Sequence, residues 1–275
     1  MIAIVTDSTV CIPKREAEAL GLQIVQNTYS VNGRTYSEGY SEENSGFEQR
    51  VLLPKGDCKT SQASVFAFAA VFEALTEEGF EVLCLVLSSR LSGAHSSAKI
   101  AAREVAPEKI AVVDSFTTAG GLLLLAKAAR SLIDGGLSLR QTEERLLNLR
   151  ARIGLVFSVD DMTALRKSGR LGLVPQSIST VLNLRPILLF SNGTVVARSI
   201  ARGAAGRVRA LTESISDDAK EIIIHHMGDA AGTEPLLNAV KKRFPAISPA
   251  LYGLGPVLGV HLGSNTLGVA WLRGE

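Results

Sequence analysis

Small hydroxyl-bearing side chains are concentrated where three apolar segments of this sequence end and, at residues 60–64, just before an apolar helical run. The clusters are residues 6–9 (TDST), 60–64 (TSQAS), 88–93 (SSRLSG) and 114–115 (DS). In an open parallel sheet, ligands bind beyond the carboxyl ends of the strands, where helices present free backbone N–H groups and positive dipole ends. The pattern therefore predicts a site for an anion such as a carboxylate. Ser64 and Thr9 are predicted to be ordinary helix N-caps, a position that serine and threonine favour.

A nucleophilic enzyme is the alternative that the same residues allow. Ser92 could attack an acyl group if a base lay within reach, and His95 is the nearby candidate. The sequence contains no G-x-S-x-G elbow, P-loop, G-x-G-x-x-G or H-E-x-x-H motif. Asp160 and Asp161 are more typical of a helix N-cap than of paired catalytic carboxylates. We therefore predict a binding protein without catalytic residues, and a serine-dependent acyl-transfer or hydrolytic enzyme remains the alternative.

The histidine and cysteine patterns predict neither a metal site nor a cofactor. His225 and His226 are adjacent on a predicted strand, so their side chains should point to opposite faces. Cys11, Cys58 and Cys84 are widely spaced and form no C-x-x-C pair. This spacing argues against a zinc site and a disulfide framework. A reducing cytoplasm is the compartment that such cysteine usage favours.

Composition narrows the class of protein further. The net charge is +2, from 29 basic and 27 acidic residues, and 5% of residues are aromatic, so nothing favours a nucleic-acid partner. The longest apolar runs fall short of the ~20 residues of a spanning helix, and the N-terminus has no basic leader. With 275 residues, 46% of them hydrophobic, the chain can form a large core and an internal apolar site. Two domains are favoured at this length.

The elements that must position the hydroxyl clusters differ between the two halves of the chain. Residues 2–6, 81–87 and 109–114 are continuous apolar strands, and each is followed by a helical pattern. We therefore predict an N-terminal α/β domain, residues 1–153, with a parallel sheet covered on both faces. The polar segment 29–56 is predicted to be an irregular excursion from this sheet.

The second half is predicted to be an α+β domain, residues 154–275, with a mixed or antiparallel sheet. Asn192-Gly193 between apolar runs is a strong hairpin signal. A helix is predicted over residues 230–244. Strands are predicted around Tyr252, Gly259 and Val269.

Seven motifs, in order along the whole chain, resemble those of the DegV family. They are residues 7–9 (DST), 60–64 (TSQAS), 88–94 (SSRLSGA), 113–115 (VDS), 160–172 (DDMTALRKSGRLG), 182–188 and 261–263 (HLG). Some family residues are replaced here: Ala63 stands for a proline, Ala94 for a threonine and Ser168 for a glycine. The final stretch also lacks the family's Pro-Gly pair.

The resemblance implies a bacterial fatty-acid-binding protein of two domains that holds the acyl chain between or beneath them. By this resemblance, Thr60 and Ser92 bind the carboxylate, and Ser61, Gly93 and His261 belong to the same pocket. The ligand would be a long-chain fatty acid of the palmitate, stearate or oleate class. Some family members present the acid to a separate ATP-binding subunit of fatty acid kinase, and that subunit is the partner that the resemblance implies.

Four arginines fall close together in the second half: Arg198, Arg202, Arg207 and Arg209. A run of basic residues on a hairpin end and a helix is most often a solvated face. The alternative is a docking surface for an acidic kinase subunit.

Overall fold

The computed structural model describes residues 1–51, 57–172, 183–228 and 232–274. The strands are β1 Ile2–Asp7, β2 Leu22–Val25, β3 Thr28–Val31, β4 Arg34–Ser37, β5 Cys58–Ser61, β6 Glu81–Val86, β7 Ile110–Asp114, β8 Ile153–Ser158, β9 Leu184–Ser191, β10 Thr194–Arg202, β11 Ala219–His226, β12 Ala250–Gly253 and β13 Leu267–Arg273. The helices are α1 Lys14–Ala19, α2 Phe47–Val51, α3 Val65–Glu77, α4 Ala94–Val105, α5 Ala119–Asp134, α6 Leu139–Leu149, α7 Thr163–Lys167, α8 Gly203–Ser214, α9 Thr233–Arg243 and α10 Pro256–Leu262.

The N-terminal half contains the predicted parallel sheet, with strand order β2-β1-β6-β7. Successive side chains of a strand point to opposite faces, and β6 shows the consequence. Leu83 and Leu85 pack with α5 and α6 on one face, while Val82, Cys84 and Val86 pack with α3 and α4 on the other. Burial on both faces explains why this strand is continuously apolar.

The C-terminal half contains a mixed sheet, which confirms the predicted α+β character. Its strand order is β10-β9-β8-β13-β11-β12, antiparallel except for the parallel pair β11 and β12. The predicted hairpin joins β9 to β10, where Asn192 and Gly193 have φ values of 48° and 79°. Two consecutive left-handed residues are the requirement of a type I′ turn. Helix α5 lies between the two large sheets and contacts β1, β6, β8, β11 and β13.

Two predictions of local structure are wrong. Segment 29–56 is not wholly irregular, because β3 and β4 form a hairpin through Asn32 and Gly33, and β5 completes a three-stranded antiparallel sheet. Gly259 lies in α10 rather than in a strand, and Pro256 occupies the first turn of this helix, where its missing N–H costs nothing.

Other boundaries are close to their predictions. The helix predicted over residues 230–244 is α9, Thr233–Arg243, and residues 230–231 lie outside the described residues, as does Leu182 of the DegV-like stretch. Strand β8 starts the six-stranded sheet at Ile153, but the division into domains 1–153 and 154–275 stays a prediction. Among the described helices, none is long and apolar enough to span a bilayer.

Candidate functional site

A cavity of about 410 Å³ lies between the two large sheets, beside the N-terminus of α5. Its apolar wall is formed by Leu87, Leu91, Ala119, Leu155, Phe157, Leu165, Phe190, Val195, Leu254, Val257, Leu258 and Leu262. Its polar lining consists of Thr9, Asn27, Thr60, Ser61, Gln62, Ser92, Thr118, Arg170, His225, His261 and Thr266. A mostly apolar cavity with a few polar groups is typical of a site for a small amphiphilic molecule.

The mouth of the cavity brings together residues from distant parts of the sequence. Thr60 on β5 and His261 on α10 are 2.8 Å apart, from Oγ1 to Nε2. Ser61 and Ser92 line the same region and are partly or well exposed, in contrast to the buried cavity wall. The structure thus places Thr60, Ser61, Ser92 and His261, all predicted site residues, on one cavity.

Gln62 joins the two hydroxyl-containing motifs at the mouth. Its Oε1 accepts the backbone N–H of Gly93 at 2.9 Å, and a Cβ on Gly93 would come within 2.4 Å of Gln62 Nε2. Gly93 is therefore a close-approach glycine behind Ser92, and it does not itself line the cavity. The oxygen of Ser92 accepts the N–H of Ala94 at 3.2 Å, which orients its hydroxyl at the start of α4.

The His261 ring is neutral at physiological pH. Burial lowers the pKa of His261 to about 4, and the positive charge of Arg170 adds to this effect. Arg170 was missed as a site residue by the sequence analysis. It lines the mouth and donates from Nε to the Leu91 carbonyl at 3.4 Å. The SGR sequence at residues 168–170, inside the DegV-like stretch, was the available signal.

A buried carboxyl group supports the helix that carries His261. Glu38 is fully buried, accepts the Ser8 hydroxyl at 2.6 Å and accepts the Val257 N–H in the first turn of α10 at 2.8 Å. A Cβ on Gly255 would come within 2.4 Å of Glu38 Oε1. Desolvation raises the pKa of Glu38 to about 7, although both hydrogen bonds oppose the shift. Glu38 therefore ties the three-stranded sheet to α10.

The predicted helix caps divide into correct and incorrect cases. Ser64 caps α3, accepting the Ala67 N–H at 3.1 Å, as predicted. Thr9 is not a cap. It is fully buried, lines the cavity and donates to Asp7 Oδ1 at 2.6 Å. Asp7 caps this turn instead, and its Oδ2 accepts the Leu87 N–H at 2.7 Å, so a capping carboxylate replaces the predicted hydroxyl.

The two aspartates before α7 have different roles. Asp161 accepts the N–H of Thr163, the first residue of α7, at 2.8 Å, but Met162 and not the predicted aspartate occupies the N-cap position. Asp160 instead forms ion pairs with Arg185 at 3.0 Å and Arg207 at 3.4 Å. Paired-carboxylate catalysis has no geometric support here.

Arg207 does not belong to a surface cluster. It is buried and donates to the Ser158 carbonyl at 2.7 Å, and burial lowers the pKa of Arg207 to about 10. The prediction of a surface formed by all four arginines is therefore wrong, because Arg207 is buried. Arg198, Arg202 and Arg209 are exposed.

The geometry does not support Ser92 as a nucleophile. In the described ranges, no hydrogen bond joins Ser92 to His95. His95 is half-buried, and desolvation lowers its pKa. The described residues also contain no group of three or more histidine, cysteine or acidic side chains that could hold a metal ion.

The inner cavity contains a second histidine that the sequence analysis did not assign to the site. His225 is 2% exposed and lines the cavity, and burial lowers the pKa of His225 to about 3. As predicted, it does not share a face with His226, whose Nδ1 lies 3.0 Å from the Gly228 carbonyl oxygen.

Comparison with known proteins agrees with this arrangement. The model of the DegV family matches residues 1–274. A DegV domain-containing protein of Halalkalibacterium halodurans is 29% identical over 276 residues, with 98% of both chains covered. The structure of a DegV lipid-binding protein from Thermotoga maritima has a TM-score of 0.89 at 28% identity and covers 100% of this chain and 99% of its own.

A stearic acid-binding protein from Eubacterium ventriosum has a TM-score of 0.88 at 25% identity, with 99% of this chain and 98% of its own covered. The same conclusion follows from the sequence motifs, from the two large sheets with a cavity between them and from the family-model match over residues 1–274. This chain belongs to the DegV family.

Proposed function

We propose that this protein binds one long-chain fatty acid of the palmitate, stearate or oleate class, without forming a covalent bond. The acyl chain occupies the cavity between the two large sheets, and the carboxylate lies at its mouth. The observation that carries the proposal is the convergence of Thr60, Ser92 and His261 at the open end of a mostly apolar cavity. Relatives named for lipid or stearic acid binding support it.

The energetics suit such a ligand. Burying an acyl chain contributes about 0.8 kcal/mol per methylene, or a gross ~12 kcal/mol for sixteen carbons. Association costs offset a large part of this gain. The carboxylate opposes transfer out of water unless it receives hydrogen bonds. A mouth of hydroxyl donors on an exposed rim meets that need without taking the charge into the core.

The Thr60–His261 contact determines how the carboxylate is held. If Nε2 carries the proton of the neutral His261 ring, it donates to Thr60 Oγ1, and the Thr60 hydroxyl is free to donate to the ligand. Binding of an anion selects this tautomer, because the opposite one uses the Thr60 proton for the ring. Ser92 supplies a second hydroxyl, Ser61 lies beside them, and Arg170 adds a positive charge.

The direct test is to remove lipid from the purified protein and titrate it with hexadecanoate. We expect saturation at about one acid per chain, and a weaker affinity for the matching alcohol because it lacks the charge. Absence of stoichiometric acyl species in solvent extracts, together with no uptake of added acid, would falsify the proposal.

We further propose that the protein presents the bound carboxylate to a separate ATP-binding subunit of a fatty acid kinase. Support comes from the exposed mouth and from the exposed side chains of Arg198, Arg202 and Arg209. With a cognate kinase subunit, Arg202→Glu should raise the KM for the loaded protein and leave fatty acid affinity unchanged. An unchanged KM at low and moderate salt would exclude Arg202 from the docking surface. Location in the cytoplasm stays a prediction.

The enzymatic alternative can be separated from the carrier by one experiment. Thr60 and His261 form a hydroxyl–imidazole pair, so an activated acyl ester tests Thr60 as well as Ser92. Acylation of either side chain, found by mass spectrometry of the denatured protein, would support an acyl-transfer enzyme. Intact lipid released without a mass shift supports the carrier.

A further inference from the structure

The mouth of the cavity is built from three separate segments of the chain, and each of them must be held in place. Thr60 belongs to the motif at residues 60–64, Ser92 to the loop at residues 88–93, and His261 to α10. Several groups bind one carboxylate together only if their separation matches it, and neighbouring hydrogen bonds fix that separation. The residues that hold these three segments together therefore determine the strength of the site.

Asn27, in the link between β2 and β3, is 2% exposed and hydrogen-bonded through its whole side chain. Its Nδ2 donates to Asp7 Oδ1 at 3.2 Å and to the Ser8 hydroxyl at 3.0 Å. Its Oδ1 accepts the backbone N–H of Ala63 at 3.0 Å. A side-chain amide has two N–H donors, and both are used here within the protein. Asn27 lines the cavity, but its donors point away from any ligand.

Two of these hydrogen bonds connect the segments that carry the mouth hydroxyls. Ala63 lies in the same motif as Thr60, so its N–H ties that motif to Asn27. Asp7 also accepts the Leu87 N–H at 2.7 Å, directly before the loop that contains Ser92. The two motifs are thus joined through buried side chains, where water does not compete for the hydrogen bonds.

The third connection runs to α10. Ser8 donates to Glu38 at 2.6 Å, and Glu38 accepts the Val257 N–H at 2.8 Å. The backbone carbonyl of Asn27 also accepts the Glu38 N–H at 2.9 Å. Val257 lies in the first turn of the helix that carries His261. Asn27 is therefore hydrogen-bonded, directly or through one or two buried side chains, to all three segments of the mouth.

The hydrogen bond from Ala63 is one that the family's usual residue at this position cannot make. Ala63 stands where the DegV motif has a proline, and proline has no backbone N–H to donate. Ala63 is 2% exposed, and among the described residues it is not part of the cavity lining. Position 63 therefore allows one hydrogen bond of Asn27 to be removed without a change in the cavity wall.

We propose that Asn27 is a positioning residue for the carboxylate site, and that its bond to Ala63 fixes the Thr60 hydroxyl for the ligand. The bond between Gln62 and Gly93 joins the same two motifs, but Gln62 is exposed, so water competes with that bond. The buried bond is the one that water cannot replace. This inference rests on the proposed fatty acid binding and names a residue that determines the strength of that site.

The test is Ala63→Pro, which removes the N–H that binds Asn27. After removal of lipid, this variant should bind hexadecanoate about 2-fold to 10-fold more weakly than the native protein, the effect of one hydrogen bond. Hexadecanol should lose less, because it lacks the charge that the positioned hydroxyl binds. Ala63→Gly is the matched control: it keeps the N–H and should bind both ligands as the native protein does.

A double-mutant cycle separates positioning from a general structural effect. In a Thr60→Val background, Ala63→Pro should change hexadecanoate affinity by less than about 2-fold, because the hydroxyl that it positions is gone. If Ala63→Pro fails to fold, the same cycle with Asn27→Ala decides the question. Unchanged hexadecanoate affinity in the variant, or equal losses in both backgrounds, would overturn the positioning role and leave fatty acid binding intact. No binding of hexadecanoate by the native protein would overturn both.

Discussion

The two ends of the cavity both contain polar side chains, but the mouth exposes them and the inner end shields them. At the mouth, Thr60 contacts His261, Gln62 binds the Gly93 N–H and the surrounding residues reach solvent. At the inner end, His225 and Thr118 are buried, and the ring nitrogens of His225 and the hydroxyl of Thr118 have almost no accessible surface. A mouth that is already hydrogen-bonded can accept and release a charged group at little cost. An inner end whose polar atoms are shielded in this way presents an acyl tail with a mainly apolar surface.

The largest effect that we expect is on the pH dependence of stability, and it comes from Glu38, which binds the N-terminus of α10 beside the mouth. Glu38 has a pKa of about 7 in the folded protein against an ordinary value of 4.5. The folded state therefore binds the Glu38 proton more tightly than the unfolded chain. Its contribution to stability is complete below about pH 4.5 and is lost as the pH rises through about 7. Over this window, the free energy of unfolding should fall by about 3 kcal/mol on account of Glu38.

Glu38→Gln should make that decline shallower, as measured by denaturant unfolding at successive pH values. Glu42→Gln is the matched control, because the Glu42 carboxyl is exposed and its pKa is lowered, so that it titrates below the window. Equal pH slopes for the native protein and Glu38→Gln would show that the Glu38 carboxyl does not titrate with a raised pKa in the folded protein.

The next largest effect is expected from removing a hydroxyl group that donates a hydrogen bond to the bound carboxylate at the mouth. Ser92→Ala and Thr60→Val should each weaken fatty acid binding by ~1.5–3 kcal/mol, the value of one charge-assisted hydrogen bond. The double variant should lose less than the sum, since both hydroxyls contact one group. The fatty alcohol of equal length should lose less from either change.

The affinities of these variants for acid and alcohol can be measured by titration calorimetry, and Ser64→Ala is the matched control. Ser64 lies in the same motif as Thr60, but it caps α3 and does not line the cavity. Its loss should reduce stability by about 1 kcal/mol and leave affinity unchanged. Unchanged affinities for acid and alcohol in both mouth variants would place the carboxylate elsewhere.

Much of this arrangement could be predicted from the sequence, for identifiable physical reasons. Continuous apolar strands indicated a parallel sheet, and Asn192-Gly193 indicated a hairpin. Helix α10 was missed because residues 256–262 (PVLGVHL) are short, apolar and rich in β-branched residues and glycine, so that periodicity cannot separate a helix from a strand. The N-terminus of α10 is bound by Glu38, which lies 219 residues earlier than Val257 in the sequence. No local sequence pattern can predict such a contact.

The candidate site shows the same limit. Thr60 and Ser92 were found because their motifs are contiguous, whereas Arg170 and His225 become site residues only through folding. The tail-lining residues could not be identified, because Leu155 or Phe157 in a cavity wall has the same sequence character as a core residue. In this cavity, moreover, Thr118 resembles a helix cap but makes no capping bond.

A smaller effect is expected from His261, which acts through Thr60. His261→Phe removes the donor that releases the Thr60 hydroxyl for the ligand, so fatty acid affinity should fall by about 0.5–1.5 kcal/mol. In a Thr60→Val background the same change should have almost no effect, and a double-mutant cycle measures that coupling. Equal losses in both backgrounds would mean that His261 acts independently of Thr60.

The smallest effect is expected from the positive charge at the mouth. Arg170 is partly exposed, so water and salt screen its attraction for a carboxylate. Arg170→Gln should weaken acid binding by about 0.2–1 kcal/mol at low salt and have less effect on the alcohol. Acid affinity of the native protein should decline as salt is added, and the variant should show a shallower decline. Arg209→Gln, an exposed arginine that does not line the cavity, should keep the native salt dependence. If Arg170→Gln retains that dependence in full, the charge that attracts the carboxylate lies elsewhere, and the mouth distinguishes acid from alcohol by its hydroxyl groups alone.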